Sequence, residues 1–219
     1  MKVQDFIDSR LAELANYKKQ FETAFYFLEE DELFFIPEGE KWSAIECIEH
    51  INNVNEGYLP QLTKVCQAEE ASQTEELTLT WFQKKARGWM SPFSKPEARK
   101  IRAPKKLQPR RIQNPELKLS AQKVMENFIS DLSQIEKILR IIPHSPELRN
   151  TKVVSAAPPI KVKTLTGLEM MVPHIGRHLE QAERILKGGR LAKEAQNDGT
   201  AYWPSFGTGR AHIKRRTTG

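Results

Sequence analysis

Cysteine is scarce in this sequence: two cysteines occur among the 219 residues, Cys47 and Cys66. Both fall within one predicted helix, where a rise of about 1.5 Å per residue separates them by roughly 28 Å. A disulfide needs Cα atoms within about 7 Å, so we expect that these two thiols do not pair with each other. Such sparing use of cysteine is typical of a reducing compartment.

Long apolar runs are also missing. No stretch approaches the roughly 18–20 apolar residues that a membrane-spanning helix requires. The first five residues are not followed by the apolar core of a secretory signal peptide. We therefore expect a cytoplasmic protein that does not enter a membrane. The hydrophobic content of 39% is enough for a core, and the length predicts one domain, or one domain plus appendages.

Positive charge is present in excess, but it is unevenly spread. The net charge is +6, and residues 84–111 alone hold eleven Lys and Arg against one acid, Glu97. Residues 190–219 add six basic and two acidic residues. These two segments carry +10 and +4, which leaves −8 for the remainder. The basic character thus belongs to one connector and one tail, and the bulk of the domain is acidic.

Four segments show apolar residues at three- and four-residue steps, the period of amphipathic helices. They cover residues 3–30, 43–65, 116–141 and 166–189, and no strand pattern accompanies them. We predict an all-α four-helix bundle over residues 1–189. A long crossover joins its second and third helices, and we expect part of this crossover to pack back on the domain, including a short helix between Leu77 and Trp89. The tail of residues 190–219 is basic, irregular and predicted to be disordered.

Local signals place the ends of two of these helices. Ser43 followed by Glu46 forms a capping box, in which each side chain satisfies a backbone N–H at the helix start. Thr166 and Glu169 repeat that spacing and predict the start of the fourth helix. Gly188-Gly189 predicts its end. Capping is the role we favour for Glu46.

Three histidines are candidate metal ligands. His174 and His178 are four residues apart, so a helix stacks their imidazoles on one face about one turn apart. Such a pair is half a metal site, and taken alone it is more often structural or solvated. His50 lies in the apolar stripe of the second helix and could complete the site inside the bundle. His144 and His212 lie in a predicted loop and in the tail, and are left out.

Several short motifs together resemble the DinB/YfiT-like superfamily over about residues 1–187. They are Trp42-Ser43, Glu49-His50, the segment His174-x-x-Arg177-His178-x-x-Gln181-Ala182-Glu183, and Ile101 to Pro109 in the connector. The resemblance implies a four-helix bundle with a long crossover that binds a divalent metal (Zn, Ni, Fe or Mn) through His50, His174 and His178. It also implies thiol-S-transferase, isomerase or hydrolase chemistry, and homodimers by analogy.

Three protein nitrogens leave a coordination position open, which suits catalysis, whereas structural zinc is usually closed by four protein ligands. We therefore expect a metal-dependent enzyme that acts on a small molecule, with a low-molecular-weight thiol as the favoured co-substrate. No general base is evident, and the catalytic residues stay unassigned. Arg177 is expected to point outward. Candidates to orient an imidazole are Glu46, Glu49, Glu180 and Gln181.

Two alternatives stay open at this point. The metal could serve only to stabilise the bundle. Otherwise residues 84–111 and the tail could bind nucleic acid or another polyanion, because basic clusters support non-specific phosphate binding. No nucleic-acid motif accompanies these clusters, so a solvated basic loop is the commoner explanation.

Overall fold

Helix dominates the computed structural model of the chain, which describes residues 1–67, 74–99, 101–114, 116–156 and 158–197. Within this part the β structure comprises a two-stranded antiparallel sheet and one isolated bridge. The predicted all-α class is confirmed in this general form. The helices and strands are, in chain order, α1 Val3–Phe25, α2 Glu30–Phe34, α3 Ala44–Cys66, α4 Trp81–Met90, α5 Arg110–Gln113, α6 Ala121–Leu139, α7 Pro146–Asn150, β1 Lys152–Val154, β2 Lys161–Lys163 and α8 Thr164–Asn197.

The core lies between the four longest helices. Helix α3 contacts both α6 and α8, and α1 contacts the same two helices. The predicted apolar stripes face inward, so that Phe21 of α1 stacks on Phe25, with ring centroids 4.9 Å apart, and contacts the tilted ring of Phe128 of α6 at 4.6 Å. Aromatic pairs at these distances add to the stabilisation from burial alone.

Helix starts were predicted with mixed success. The capping box at Ser43 is present: Ser43 N donates to Glu46 Oε2 at 2.8 Å, and Glu46 N donates to Ser43 Oγ at 3.4 Å. The second predicted box is wrong. Helix α8 begins at Thr164, and Glu169 is fully buried against Arg10 of α1. The Glu169 carboxylate, which the local pattern assigned to a helix cap, instead forms an ion pair with a distant residue.

The predicted end of α8 at Gly188-Gly189 is also wrong, because the helix continues to Asn197. Gly189 instead allows close packing: a Cβ there would lie 3.0 Å from the Phe35 ring. The predicted tail begins inside this helix, and its residues 198–219 lie outside the described residues. The assignment of one domain and one tail therefore stays a prediction.

The other boundaries differ in detail. The first helix ends at Phe25 and is followed by the short α2, and the third predicted helix corresponds to α6, which spans Ala121–Leu139 instead of residues 116–141. The sheet was missed, since strands of three residues are too short to show alternation. Both cysteines lie on α3 and are free, as expected. No helix in the described ranges is long and apolar enough to cross a membrane.

The connector between α3 and α6 packs back on the domain, as predicted. Its short helix α4 overlaps the expected span of Leu77 to Trp89, ends one residue later at Met90, and lies along α8. Thr80 caps this helix, since Gln83 N donates to Thr80 Oγ1 at 3.2 Å. Farther along, the turn at Leu107 contacts α3. The connector therefore lies against the two helices that carry the three histidines.

Candidate metal centre

The three predicted histidines converge. His50 is in the first half of α3, while His174 and His178 lie one turn apart on α8, which packs against it. One ring nitrogen from each lies within 4.8 Å of the other two. The ring centroid of His178 is 4.5 Å from that of either partner. Among the described residues, His144 is outside this cluster.

Hydrogen bonds orient two of the three rings. His50 Nδ1 lies 2.6 Å from the carbonyl oxygen of Leu107, and a carbonyl can only accept, so Nδ1 carries the hydrogen. His178 Nδ1 lies 2.9 Å from Gln181 Oε1, which favours the same tautomer. In both rings Nε2 is left with its lone pair free. Outer contacts of this kind hold metal-binding imidazoles in place.

The imidazoles lie where their neutral form is favoured. Burial lowers the pKa of His50, although the carbonyl of Leu107 partly opposes this. Burial and then the neighbouring imidazoles hold the pKa of His174 well below its ordinary value. Burial and His50 do the same to the pKa of His178. Since metal binding requires deprotonated ligands, three neutral imidazole nitrogens form a donor set that fits a divalent ion such as zinc or nickel.

The carboxylates named as orienting candidates have other partners. Glu46 pairs with Arg111, and Glu49 pairs with Arg110. Glu180 accepts a hydrogen bond from the backbone of Ser94. Of the four candidates, Gln181 is therefore the one whose side chain contacts a histidine of the cluster.

Arg177 does not point outward, and that prediction is wrong. Its side chain is buried and donates to the backbone carbonyls of Ser91 and Arg99, each at 2.9 Å, and to that of Trp89. The Phe93 ring lies 4.6 Å from the guanidinium carbon. Burial lowers the pKa of this guanidinium. Arg177 lies between the two histidines of α8, and its hydrogen bonds attach the connector to that helix.

Two further contributors were missed by sequence reasoning. The Trp42 ring lies 5.0 Å from the His50 ring and 6.1 Å from that of His178, by centroids. The Leu107 carbonyl comes from the connector. One signal pointed to such contacts: the many prolines between residues 92 and 115 prevent a long helix, so carbonyls in that segment are free to accept from side chains.

A cavity of about 260 Å³ lies over the cluster. All three histidines line it. Its other walls come from α4, the connector, α8 and the hairpin that β1 and β2 form. Apolar side chains predominate in these walls. Imidazole nitrogens in the wall of a concave, largely apolar site match the usual form of a small-molecule site, in which a few polar groups are set among apolar ones.

The profile of the DinB superfamily matches residues 17–182, a span that contains His50, His174 and His178. Searches of curated proteins and of solved structures found no match. The matched span covers most of the chain and all three histidines of the cluster. This chain belongs to the DinB superfamily.

Proposed function

We propose that the protein is a divalent-metal-dependent enzyme in which His50, His174 and His178 hold the ion. One observation carries the proposal: three imidazoles from two helices converge and line one largely apolar cavity. Burial, the Leu107 carbonyl and Gln181 prepare these nitrogens to bind. Membership of the DinB superfamily supports the same assignment.

The arrangement favours catalysis over a purely structural ion. A structural zinc site is normally closed by four protein ligands, and the cluster in the described residues offers three. A bound ion would supply Lewis acidity at its open position, where it acidifies a thiol or a water molecule. We propose S-transfer from a low-molecular-weight thiol to an electrophile, or hydrolysis, as the reaction class. The protein's own share is to fix the imidazoles and to shelter the reacting groups from bulk water.

The polyanion alternative loses support from the ion pairs of the connector. Arg87 pairs with Glu13 and Glu169, Arg110 with Glu49, and Arg111 with Glu46. These three guanidiniums neutralise the domain's own carboxylates and are less free for phosphate. Nucleic-acid binding therefore stays an unfavoured possibility, and cytoplasmic location and homodimerisation stay predictions.

The finer architecture belongs to the same proposal. We infer that α1, α3, α6 and α8 are the four helices of a bundle and that the segment between α3 and α6 is its crossover. The mutual contacts of these four helices support this inference. In such bundles, metal sites are built from side chains on facing helices, which is how α3 and α8 carry the histidines.

Elemental analysis of protein purified without a histidine tag tests the metal assignment. We expect about one divalent ion per chain, as one shared site requires. His178→Ala should lose most of the metal while keeping its helical circular dichroism. His144→Ala is the matched control, because His144 lies in a turn outside the cluster. Full metal content in His178→Ala would show that the ligand assignment is wrong.

Turnover assays then separate an enzyme from a metal-stabilised bundle. Metal-loaded protein is incubated with thiols and a panel of electrophiles, and loss of free thiol is followed. We expect turnover that requires metal and is absent from His178→Ala. A fully loaded protein that turns over neither thiol–electrophile pairs nor ester and amide substrates would favour a structural ion.

A further inference from the structure

Exposed apolar side chains surround the opening of the cavity above the histidines. Phe82 of α4 is 49% exposed, Ile101 of the connector 52% and Ile160 of the hairpin turn 60%, and all three line the cavity. Single exposed apolar residues are ordinary on protein surfaces. Three of them from separate segments around one concavity indicate a surface that is covered when a ligand is present.

The interior of the cavity is also apolar. Trp89, Met90, Met170 and Met171 contribute to its walls. Methionine and tryptophan side chains present adaptable or flat apolar surface to a ligand. No Asp or Glu is among the described lining residues, so nothing there would balance a cationic ligand.

The two arginines that line the cavity do not make its interior suited to an anionic ligand. Arg177 lines the cavity, but its guanidinium donates to three backbone carbonyls and is not available to a ligand. Arg102 is exposed at the opening, where solvent screens its charge. The interior is thus suited to an uncharged group.

The wall formed by the connector is fixed in place. Arg177 holds the carbonyls of Trp89, Ser91 and Arg99, the last of which lies two residues before Ile101. His50 also holds the Leu107 carbonyl on the far side of Ile101. This connector wall is therefore anchored to the two helices that carry the histidines, and it needs no large rearrangement to accept a ligand.

We propose that this cavity binds the apolar body of the substrate, an aryl or alkyl group without charge, and presents its reactive end to the histidine cluster. This specificity rests on the proposed metal-dependent function, because the reactive end is defined by the metal. The volume of about 260 Å³ is near the lower end of the roughly 300–1,000 Å³ usual for ligand sites. A substrate with up to three aromatic rings, or a medium alkyl chain, fits such a space.

Binding of N-phenyl-1-naphthylamine tests this inference. This neutral aromatic probe becomes fluorescent in apolar surroundings. Full-length protein, treated with chelator so that metal plays no part, should bind it saturably at one site per chain. Phe82→Ser should weaken the affinity at least about fivefold through lost apolar contact. Met170→Glu, which puts a carboxylate in the cavity wall, should weaken it further.

Phe27→Ser is the matched control, because Phe27 is 93% exposed and does not line the cavity. Its affinity for the probe should equal that of the unmodified chain. Unsaturable binding, or equal affinity in Phe82→Ser and Met170→Glu with native circular dichroism, overturns the inference. A third result also overturns it: the unmodified chain does not bind the probe, and Phe82→Ser changes the oligomeric mass. In that case a second copy of the chain covers the rim. Elemental analysis of the untreated, purified protein is read separately. If the untreated protein contains metal but the chelator-treated protein does not bind the probe, this inference alone is refuted. If the probe binds but the untreated protein contains no metal, the metal centre is refuted.

Discussion

Gly176 lies between His174 and His178, and the ring of Tyr17 occupies the space beside it. A methyl group at position 176 would lie 2.5–2.7 Å from the Oη, Cζ and Cε1 atoms of Tyr17, closer than packed atoms can approach. The glycine therefore allows α1 to pack tightly against the helix turn that carries two of the three proposed ligands.

Gly176→Ala should destabilise the protein. Overpacking typically costs about 1–3 kcal/mol, and alanine regains about 1 kcal/mol through helix propensity. We expect a net loss of about 1 kcal/mol in the free energy of unfolding in urea. Gly57→Ala in α3 is the control, since its Cβ would lie 3.5 Å from Ala156 Cα in ordinary contact. Equal stability of the two variants would contradict the packing argument.

Single residues were predictable where chemistry follows from spacing. Two histidines one turn apart must share a helix face, so His174 and His178 could be paired from the sequence. His50 could be added because it lies in the apolar stripe of another helix, and the resemblance supported the same three residues. Arg177 could not be placed. Its partners are backbone carbonyls of the connector, which have no side-chain signature. The need for glycine at position 176 could not be predicted either, because it depends on packing against the ring of Tyr17, which is distant in sequence.

Among the elements, α8 shows how tertiary contacts override local signals. Thr166 and Glu169 have the spacing of a cap, yet the helix begins at Thr164 and Glu169 is fully buried. Its carboxylate accepts from Arg10 Nε at 2.6 Å and Arg10 Nη2 at 2.9 Å, and lies 3.5 Å from Arg87 Nη1. One carboxylate thus connects α8 with α1 and α4.

Replacing Glu169 by Gln should be strongly destabilising. The shape is kept, but the buried Arg10 guanidinium loses its bidentate anion, and breaking a buried pair typically costs about 3–5 kcal/mol. Urea unfolding followed by circular dichroism measures the loss. Glu22→Gln is the matched control on α1: its pair with Lys18 is exposed, at 4.0 Å, and should contribute less than about 1 kcal/mol. Similar stability of the two variants would rule out the proposed link between helices.

Asp131 of α6 is a partly buried carboxylate facing α3. Asn55 Nδ2 donates to its Oδ2 at 3.1 Å. Burial raises the pKa of Asp131 to about 6, with a further increase from Glu56 and a partial decrease from the Asn55 hydrogen bond. Between pH 4 and 6 the folded state therefore holds a proton that the unfolded state has released. The contribution of Asp131 to stability falls as pH rises through this window and stays unfavourable above it.

Asp131→Asn should consequently stabilise the protein at neutral pH but not in acid. Asparagine is nearly isosteric, can still accept from Asn55 and carries no charge to desolvate. We expect a gain of about 1 kcal/mol at pH 7, reduced for partial exposure, that disappears near pH 4. Unfolding midpoints measured from pH 4 to 8 test the trend. Glu126→Gln, on the exposed face of α6, should show no comparable change. A pH-independent gain in Asp131→Asn would contradict desolvation of the carboxylate as its cause.

At the scale of the whole molecule, the uneven charge of the sequence is partly offset by ion pairs between the connector and the helices. The basic connector supplies Arg87, Arg110 and Arg111, and the acidic helices supply Glu13, Glu46, Glu49 and Glu169. Composition predicted that basic and acidic residues are separated along the chain, but it did not predict that they pair in the folded protein. The pairing depends on which carboxylates the helix packing buries beside the connector.

The general architecture was predictable for a related reason. Four apolar stripes must face one another to leave water, and this constraint is visible in the sequence. The hairpin formed by β1 and β2 and the position of α4 could not be predicted, because they depend on a few contacts between distant segments. Examples are the bonds between Gln61 of α3 and Val154 of β1. The hairpin and α4 supply part of the wall of the cavity over the histidines, so its apolar character could not be predicted.

Metal binding should stabilise the whole fold, because the proposed ligands join α3 to α8. An ion that binds only the native state adds about 2.7 kcal/mol at a free concentration of 100 Kd, which corresponds to about 5–10 °C in Tm for a chain of this size. Adding zinc to metal-free protein and scanning by calorimetry tests this expectation. His50→Ala should abolish the shift because α3 then contributes no ligand, whereas His144→Ala should keep it. If His50→Ala retains the full shift while His178→Ala loses it, the ion is held by α8 alone, and the convergence of the three imidazoles does not create the site.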